Sequence, residues 1–152
     1  MRRAWNWLMS RLYRSLADAH RHFGNLYGNR QDHWLAIENY TRALVHDPAY
    51  TQAYYSRGVL YWREVDNPYR AIQDLSRVLE LDETWADAYF NRAVAHRMRQ
   101  EREQAVADFR AYLAYGDDEF WLGSAGRQLA ELQEEMDEQG RPDGQAPRQV
   151  RG

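Results

Sequence analysis

The chain has 152 residues, enough for one domain with a substantial core. It is 44% hydrophobic and 28% charged with a net charge of −3, a balance that points to neither nucleic acid nor a membrane interior. The absence of cysteine excludes disulfides, thiolate catalysis and cysteine-based zinc sites, and no uncharged run approaches the roughly 18 residues of a membrane span.

All 20 basic residues are arginine, which reads as GC-rich coding and hence a bacterial origin, and a cytoplasmic location is expected. Charge is unevenly placed. Residues 1–30 carry six arginines against Asp18 alone, whereas residues 117–138 carry eight acids against Arg127 alone.

Residues 1–16 show helical periodicity, with Trp5, Leu8, Met9, Leu12 and Leu16 on one stripe and Trp7, Arg11 and Arg14 opposite. Neither glycine nor proline separates this segment from residue 17 onward, and the stripe continues through His20, Phe23 and Tyr27, so one long helix over 3–28 is expected. The 16 extra residues would project roughly 24 Å at about 1.5 Å per residue. Such a stripe needs a cover. It could fold back as a cap on the first helix pair, serve self-association or a partner protein, or lie on an anionic membrane surface. Asn6, Ser10 and Arg11 interrupt the apolar run that a secretory signal requires.

A frame then repeats three times. Ala36-Ile37-Glu38-Asn39-Tyr40 returns as Ala71-Ile72-Gln73-Asp74-Leu75 and as Ala105-Val106-Ala107-Asp108-Phe109, at steps of 35 and 34 residues. That period marks a solenoid of stacked helix pairs. Upstream of each frame stand Gly24, Gly58 and Ala93, followed three residues later by Tyr27, Tyr61 and His96. Small residues let paired helices approach, and the large apolar ones fill the groove beside them.

The pattern resembles the tetratricopeptide repeat over residues 17–119. The resemblance implies an all-α, right-handed superhelix of three helix–turn–helix units, 17–50, 51–85 and 86–119. An amphipathic helical extension, 1–16, would precede them and a capping helix, 120–138, would follow, with a disordered tail over 139–152. Expected helices are 3–28, 32–46, 51–64, 68–81, 86–99 and 102–114. The extra residue of the second unit falls in Val65-Asp66-Asn67-Pro68, where Asn67 suits an N-cap and Pro68 the first helical turn. In the closing segment Trp121, Ala125, Leu129, Leu132 and Met136 share a face, while Gly123 and Gly126 weaken its first turns.

Sites for chemistry are sparse. His20 and His22 point to different faces and cannot chelate together. There is no phosphate loop, nucleophile elbow or H-E-x-x-H, so neither enzyme activity, metal nor cofactor is expected. In tetratricopeptide stacks the first helices line a concave groove. The corresponding stripe carries Arg21 and Asn25, then Tyr55, Val59, Trp62 and Arg63, then Phe90, Val94, Arg97 and Met98, with Asn91 beside them. An apolar patch edged by Arg21, Arg63 and Arg97 marks a protein or peptide site, suited to a segment carrying some negative charge. Some tetratricopeptide domains clamp a chaperone's C-terminal carboxylate with five basic or amide residues. Arg21 and Asn25 match two of those positions, but Ser56, Asp87 and Asn91 fill the others, so that clamp is incomplete here. The expectation is a non-catalytic scaffold binding protein segments in the groove. A self-assembling structural protein, or a membrane adaptor acting through Trp5, Leu8, Met9, Leu12 and Leu16, is the alternative.

Overall fold

Each copy of the repeated frame forms the second helix of an antiparallel pair, and the computed structural model describes this stack for residues 1–139. Helices α1 (Arg2–Tyr27) and α2 (Arg30–His46), α3 (Thr51–Arg63) and α4 (Pro68–Leu81), and α5 (Ala86–Met98) and α6 (Arg102–Tyr115) make three pairs, closed by α7 (Glu119–Gln139). Among the described residues there is no strand, and the fold is the all-α superhelix expected. Of the segment read from the sequence as a disordered tail, 139–152, Gln139 ends α7 and residues 140–152 lie outside the described residues.

The small residues do what their spacing implies. Ala36, Ala71 and Ala105 are fully buried where each second helix meets its partner, and Tyr40, Leu75 and Phe109 fill the space beside them. Gly24 is buried against the His33 ring, which is hydrogen-bonded to Asn25 at 3.0 Å. The chain turns out of α1 at Gly28, whose φ of 62° suits a residue without Cβ. Asn29 then caps α2 by accepting from the Gln31 backbone N–H at 3.0 Å, so α2 starts at Arg30, two residues earlier than expected. Asn67 caps α4 in the same way, by accepting from the Arg70 N–H at 3.1 Å, with Pro68 in its first turn. The longer turn is absorbed by Asp66 at φ 55°, and both neighbouring helices stay intact. In α7 the helix passes unbroken through Gly123 and Gly126.

One expectation about the extension is corrected. Residues 1–16 neither fold back nor project freely. They continue α1 without a break, and their inner face stays in contact with the end of α2. Tyr13 stacks on His46 with ring centroids 5.7 Å apart, Asn6 reaches His46 at 3.4 Å, and the Arg11 guanidinium lies 4.2 Å over the Tyr50 ring. The small residues Ser10, Ala17 and Gly24, seven apart, form the buried seam that allows this approach. The other face of α1 has nothing over it. Trp5, Leu8, Leu12, Leu16, Phe23, Leu26 and Tyr27 are between 43% and 73% exposed.

A polar staple crosses each joint between pairs. Arg57 on α3 donates two hydrogen bonds of 2.7 Å to Asp74 on α4, and a third of 2.8 Å to the Thr41 hydroxyl on α2, the preceding pair. Arg92 on α5 repeats this, with two bonds of 2.7 Å to Asp108 on α6 and one of 3.0 Å to the Ser76 hydroxyl on α4. Burial works against the Arg57 charge, but its bonds to Asp74 outweigh burial and hold the guanidinium charged. At the start of the stack the place of these arginines is taken by Phe23 and that of the aspartates by Asn39. At its end Arg110 stands where Thr41 and Ser76 stood. The ladder therefore serves the two internal joints only.

Candidate functional site

The concave side holds a cavity of about 360 Å³ between the second and third pairs and the closing helix. Tyr55, Val59 and Trp62, at i, i+4 and i+7 of α3, share one helix face and form one wall. Phe90 and Asn91 on α5 form the other, and Trp121 at the start of α7 closes the end, above Tyr112. Phe90 is fixed edge-on by three rings, with centroids 5.2 Å from Tyr112, 5.2 Å from Trp121 and 5.6 Å from Phe109. Tyr55 stacks on Trp85 at 5.4 Å. The aromatic wall is therefore positioned before any ligand arrives.

Asn91 is the polar organiser of the site. Its carbonyl oxygen accepts from Trp62 Nε1 at 3.2 Å, and its amide donates to the Tyr55 phenol at 3.2 Å and to the Asp87 carbonyl at 2.7 Å. Both amide hydrogens are used within the protein, so Asn91 holds the wall in place. Burial, aided by the Asp87 carboxylate, pushes the Tyr55 phenol up to about 12, which keeps it neutral at the cavity surface.

Of the residues singled out in the sequence, Tyr55, Val59, Trp62, Arg63, Phe90 and Asn91 come together here. Four do not. Arg21 and Asn25 lie on the first pair, where Asn25 is bonded to His33. Val94 packs against the cluster beneath α7. Arg97 fastens α7, with bonds of 3.1 Å to Gln128 and 3.0 Å to Glu131. Three lining residues were missing from the sequence-derived site: Asp87, Tyr112 and Trp121. Tyr112 did carry a signal, because it stands where the repeat prefers a small residue.

The expectation of a cationic rim is also corrected. Arg21 lies 3.9 Å from Asp18, Arg63 lies 3.3 Å from Glu64, and Arg97 pairs with Glu131 at 3.0 Å. With Asp87 in the lining, the mouth carries charge of both signs: the exposed Arg63 guanidinium and the Asp87 carboxylate. Among the described residues, no cluster of three metal-ligating side chains occurs, and no helix is long and apolar enough to cross a membrane.

Three repeated helix pairs with a closing helix and a concave aromatic cavity define a tetratricopeptide-repeat fold, and solved structures of that fold match the chain. The first tetratricopeptide domain of Spaghetti (RPAP3), bound to the HSP90 peptide SRMEEVD, is 22% identical with a TM-score of 0.66, over 82% of this chain and 95% of that one. The Arabidopsis OM64 tetratricopeptide domain is 21% identical with a TM-score of 0.72, over 85% and 98%. MamA is 24% identical with a TM-score of 0.74, over 84% of this chain and 64% of that one. At these identities the likeness is one of fold. No protein-family model and no curated protein sequence matches the chain.

Proposed function

We propose that the protein is a non-catalytic interaction scaffold that seats one apolar or aromatic side chain of a protein segment in the cavity between α3, α5 and α7. The observation that carries this reading is the cavity itself. It is open, walled by rings, and held in shape by internal hydrogen bonds rather than filled by the protein's own side chains. Pre-set aromatic walls of this kind supply binding energy at little cost in ordering. Two solved relatives in fold are held with peptides, the HSP90 peptide on the first Spaghetti domain and the HSP70 peptide SGPTIEEVD on the second human RPAP3 domain.

The chemistry of the segment differs from those acidic tails. Asp87 at the mouth repels a carboxylate, while Arg63 and Asp87 together suit flanking residues of opposite sign. The bacterial, cytoplasmic setting expected from the sequence belongs to the same proposal. The test is selection of binders from a displayed random-peptide library, followed by titration. Val59→Arg, which fills the cavity from an already solvent-accessible position, should weaken the selected peptide at least tenfold, about 1.4 kcal/mol, with unchanged helicity. Trp62→Ala should do the same. Equal affinity in the wild type and both variants would sink the reading.

A further inference from the structure

We infer that two copies of this chain pair through the outer face of α1, antiparallel and about a twofold axis. The first observation is a comparison of equivalent positions. On α3, which packs on α2, Ala53, Leu60 and Tyr61 are buried, and on α5, which packs on α4, Ala88 and Ala95 are buried. The same positions of α1 are Ala19, Leu26 and Tyr27, which have no preceding helix against them. Leu60 is 2% exposed where Leu26 is 61% exposed. The first helix therefore carries the residues of an internal joint on an open edge.

The occupant of that edge is not a further repeat of this kind. Position by position, Phe23 replaces the arginine that staples the other joints. It is not α7 of another molecule either: beyond Phe120 and Trp121, the outward side of α7 carries Glu131, Glu134, Asp137 and Glu138.

The stripe is complementary to itself. When α1 is laid antiparallel on a second α1, Trp5 falls opposite Leu26, Leu8 opposite Phe23 and Leu12 opposite Ala19, each pair of residue numbers having the same sum. The axis then passes beside Ser15 and Leu16, and the small side chains of Ser15 and Ala19 let the helices close at the centre. No charged residue falls on this stripe, so two basic helices can meet there without like charges in the seam. Arg14 is turned to Asp18 at 2.8 Å, and Arg11 lies over Trp7 and Tyr50. Those contacts also argue against a membrane surface, because Arg11 and Trp7 sit together away from the stripe instead of flanking it. Along the stripe Trp5, Leu8, Leu12, Leu16, Phe23 and Leu26 are 43% to 61% exposed in the single chain, so pairing would remove a continuous apolar face from water.

The chain lacks cysteine, so the geometry can be tested by introduced thiols. The wild-type chain should sediment as a dimer, twice 18.1 kDa. Leu8→Glu with Leu12→Glu should give a monomer of unchanged helicity, because both positions are solvent-exposed in the single chain. Under mild oxidation, a mixture of Leu12→Cys and Ala19→Cys chains should cross-link, and Leu12→Cys alone should not. A monomeric wild type at about 100 µM protein, well above the micromolar end of the range for specific interfaces, would overturn the proposal. So would a dimer that survives the double glutamate variant, cross-linking of Leu12→Cys alone, or a chain that stays monomeric but sediments with phosphatidylglycerol vesicles. Val59→Arg leaves this face untouched, so failure of the cavity reading and failure of pairing are separable.

Discussion

Three glycines in near-equivalent helical settings have very different surroundings, and the differences set an order of stability. A Cβ on Gly24 would come within 2.4 Å of the His33 ring, which is buried and bonded to Asn25. On Gly58 it would meet Leu75 at 3.0 Å, and on Gly126 it would meet nothing within 4 Å. The helix propensity gained by alanine is about 1 kcal/mol at each site, whereas overpacking costs about 1–3 kcal/mol. Gly24→Ala should therefore destabilise by about 1–2 kcal/mol, Gly58→Ala should be close to neutral, and Gly126→Ala should stabilise by about 0.5–1 kcal/mol, read from urea unfolding midpoints. Gly24 and Gly58 were legible in the sequence as packing glycines. The His33 ring was not, because its role depends on a neighbour eight residues away across the turn. Tyrosines make the second prediction at this scale. Burial and the hydrogen bond to Asp18 push Tyr40 from its ordinary 10.0 to about 12, and burial with Asp87 does the same to Tyr55. Both groups stay protonated in the folded chain while the unfolded chain ionises. Their stabilisation is thus complete below pH 10 and lost as pH rises through about 12. Thermal melts should show a decline that begins near pH 10, and Tyr40→Phe should flatten it; an unchanged slope would rule out this linkage.

Among elements, two kinds of attachment can be set against each other. The Arg57–Asp74 staple is largely buried, with side chains 15% and 8% exposed. Removing one member of such a pair strands the other, at about 3–5 kcal/mol. Asp74→Ala should cost that much, and the Arg57→Ala/Asp74→Ala cycle should return a coupling well above the roughly 0–1 kcal/mol of a surface ion pair. The closing helix is held differently. Its visible ties, Arg97 to Glu131 and Arg102 to Glu135, are half in solvent, while Leu132 and Ala125 are fully buried. Leu132→Ala should therefore loosen α7 by about 2–5 kcal/mol and Arg97→Ala by less than about 1 kcal/mol, as hydrogen exchange of the α7 amides would report. The helices themselves could be read from the period and the caps, because Asn67-Pro68 and Gly28-Asn29 act locally. The staple could not. Arg57 and Asp74 lie 17 residues apart, each beside polar neighbours, and a single charged residue reads as solvated until the superhelix turns it inward.

For the whole molecule, three copies of one frame were enough to read the stack, and six of the nine cavity-lining residues followed from the stripe that the frame holds in place. What stayed hidden came from beyond the repeats, since Trp121 belongs to the closing helix, whereas Asp87 was legible as an acid at a position where a carboxylate clamp needs a base. Of the rim arginines, Arg97 misled for a related reason, since Glu131 reaches it only across the joint with α7, whereas Glu64 stands next to Arg63 in the chain. The ladder of staples has a consequence for the length of the molecule. Its two rungs use interchangeable parts, Thr41 or Ser76 as acceptor and Arg57 or Arg92 as donor. A duplicate of residues 51–85 spliced in after Trp85 would meet Ser76 with its own Arg57, and a new rung would form. Nearest-neighbour coupling then predicts a higher melting temperature for the lengthened chain. The cavity would not multiply with it, because at the new joint Trp62 would face Ser56 instead of Asn91. Repeat number and ligand stoichiometry would part company: a longer spring, still with one socket.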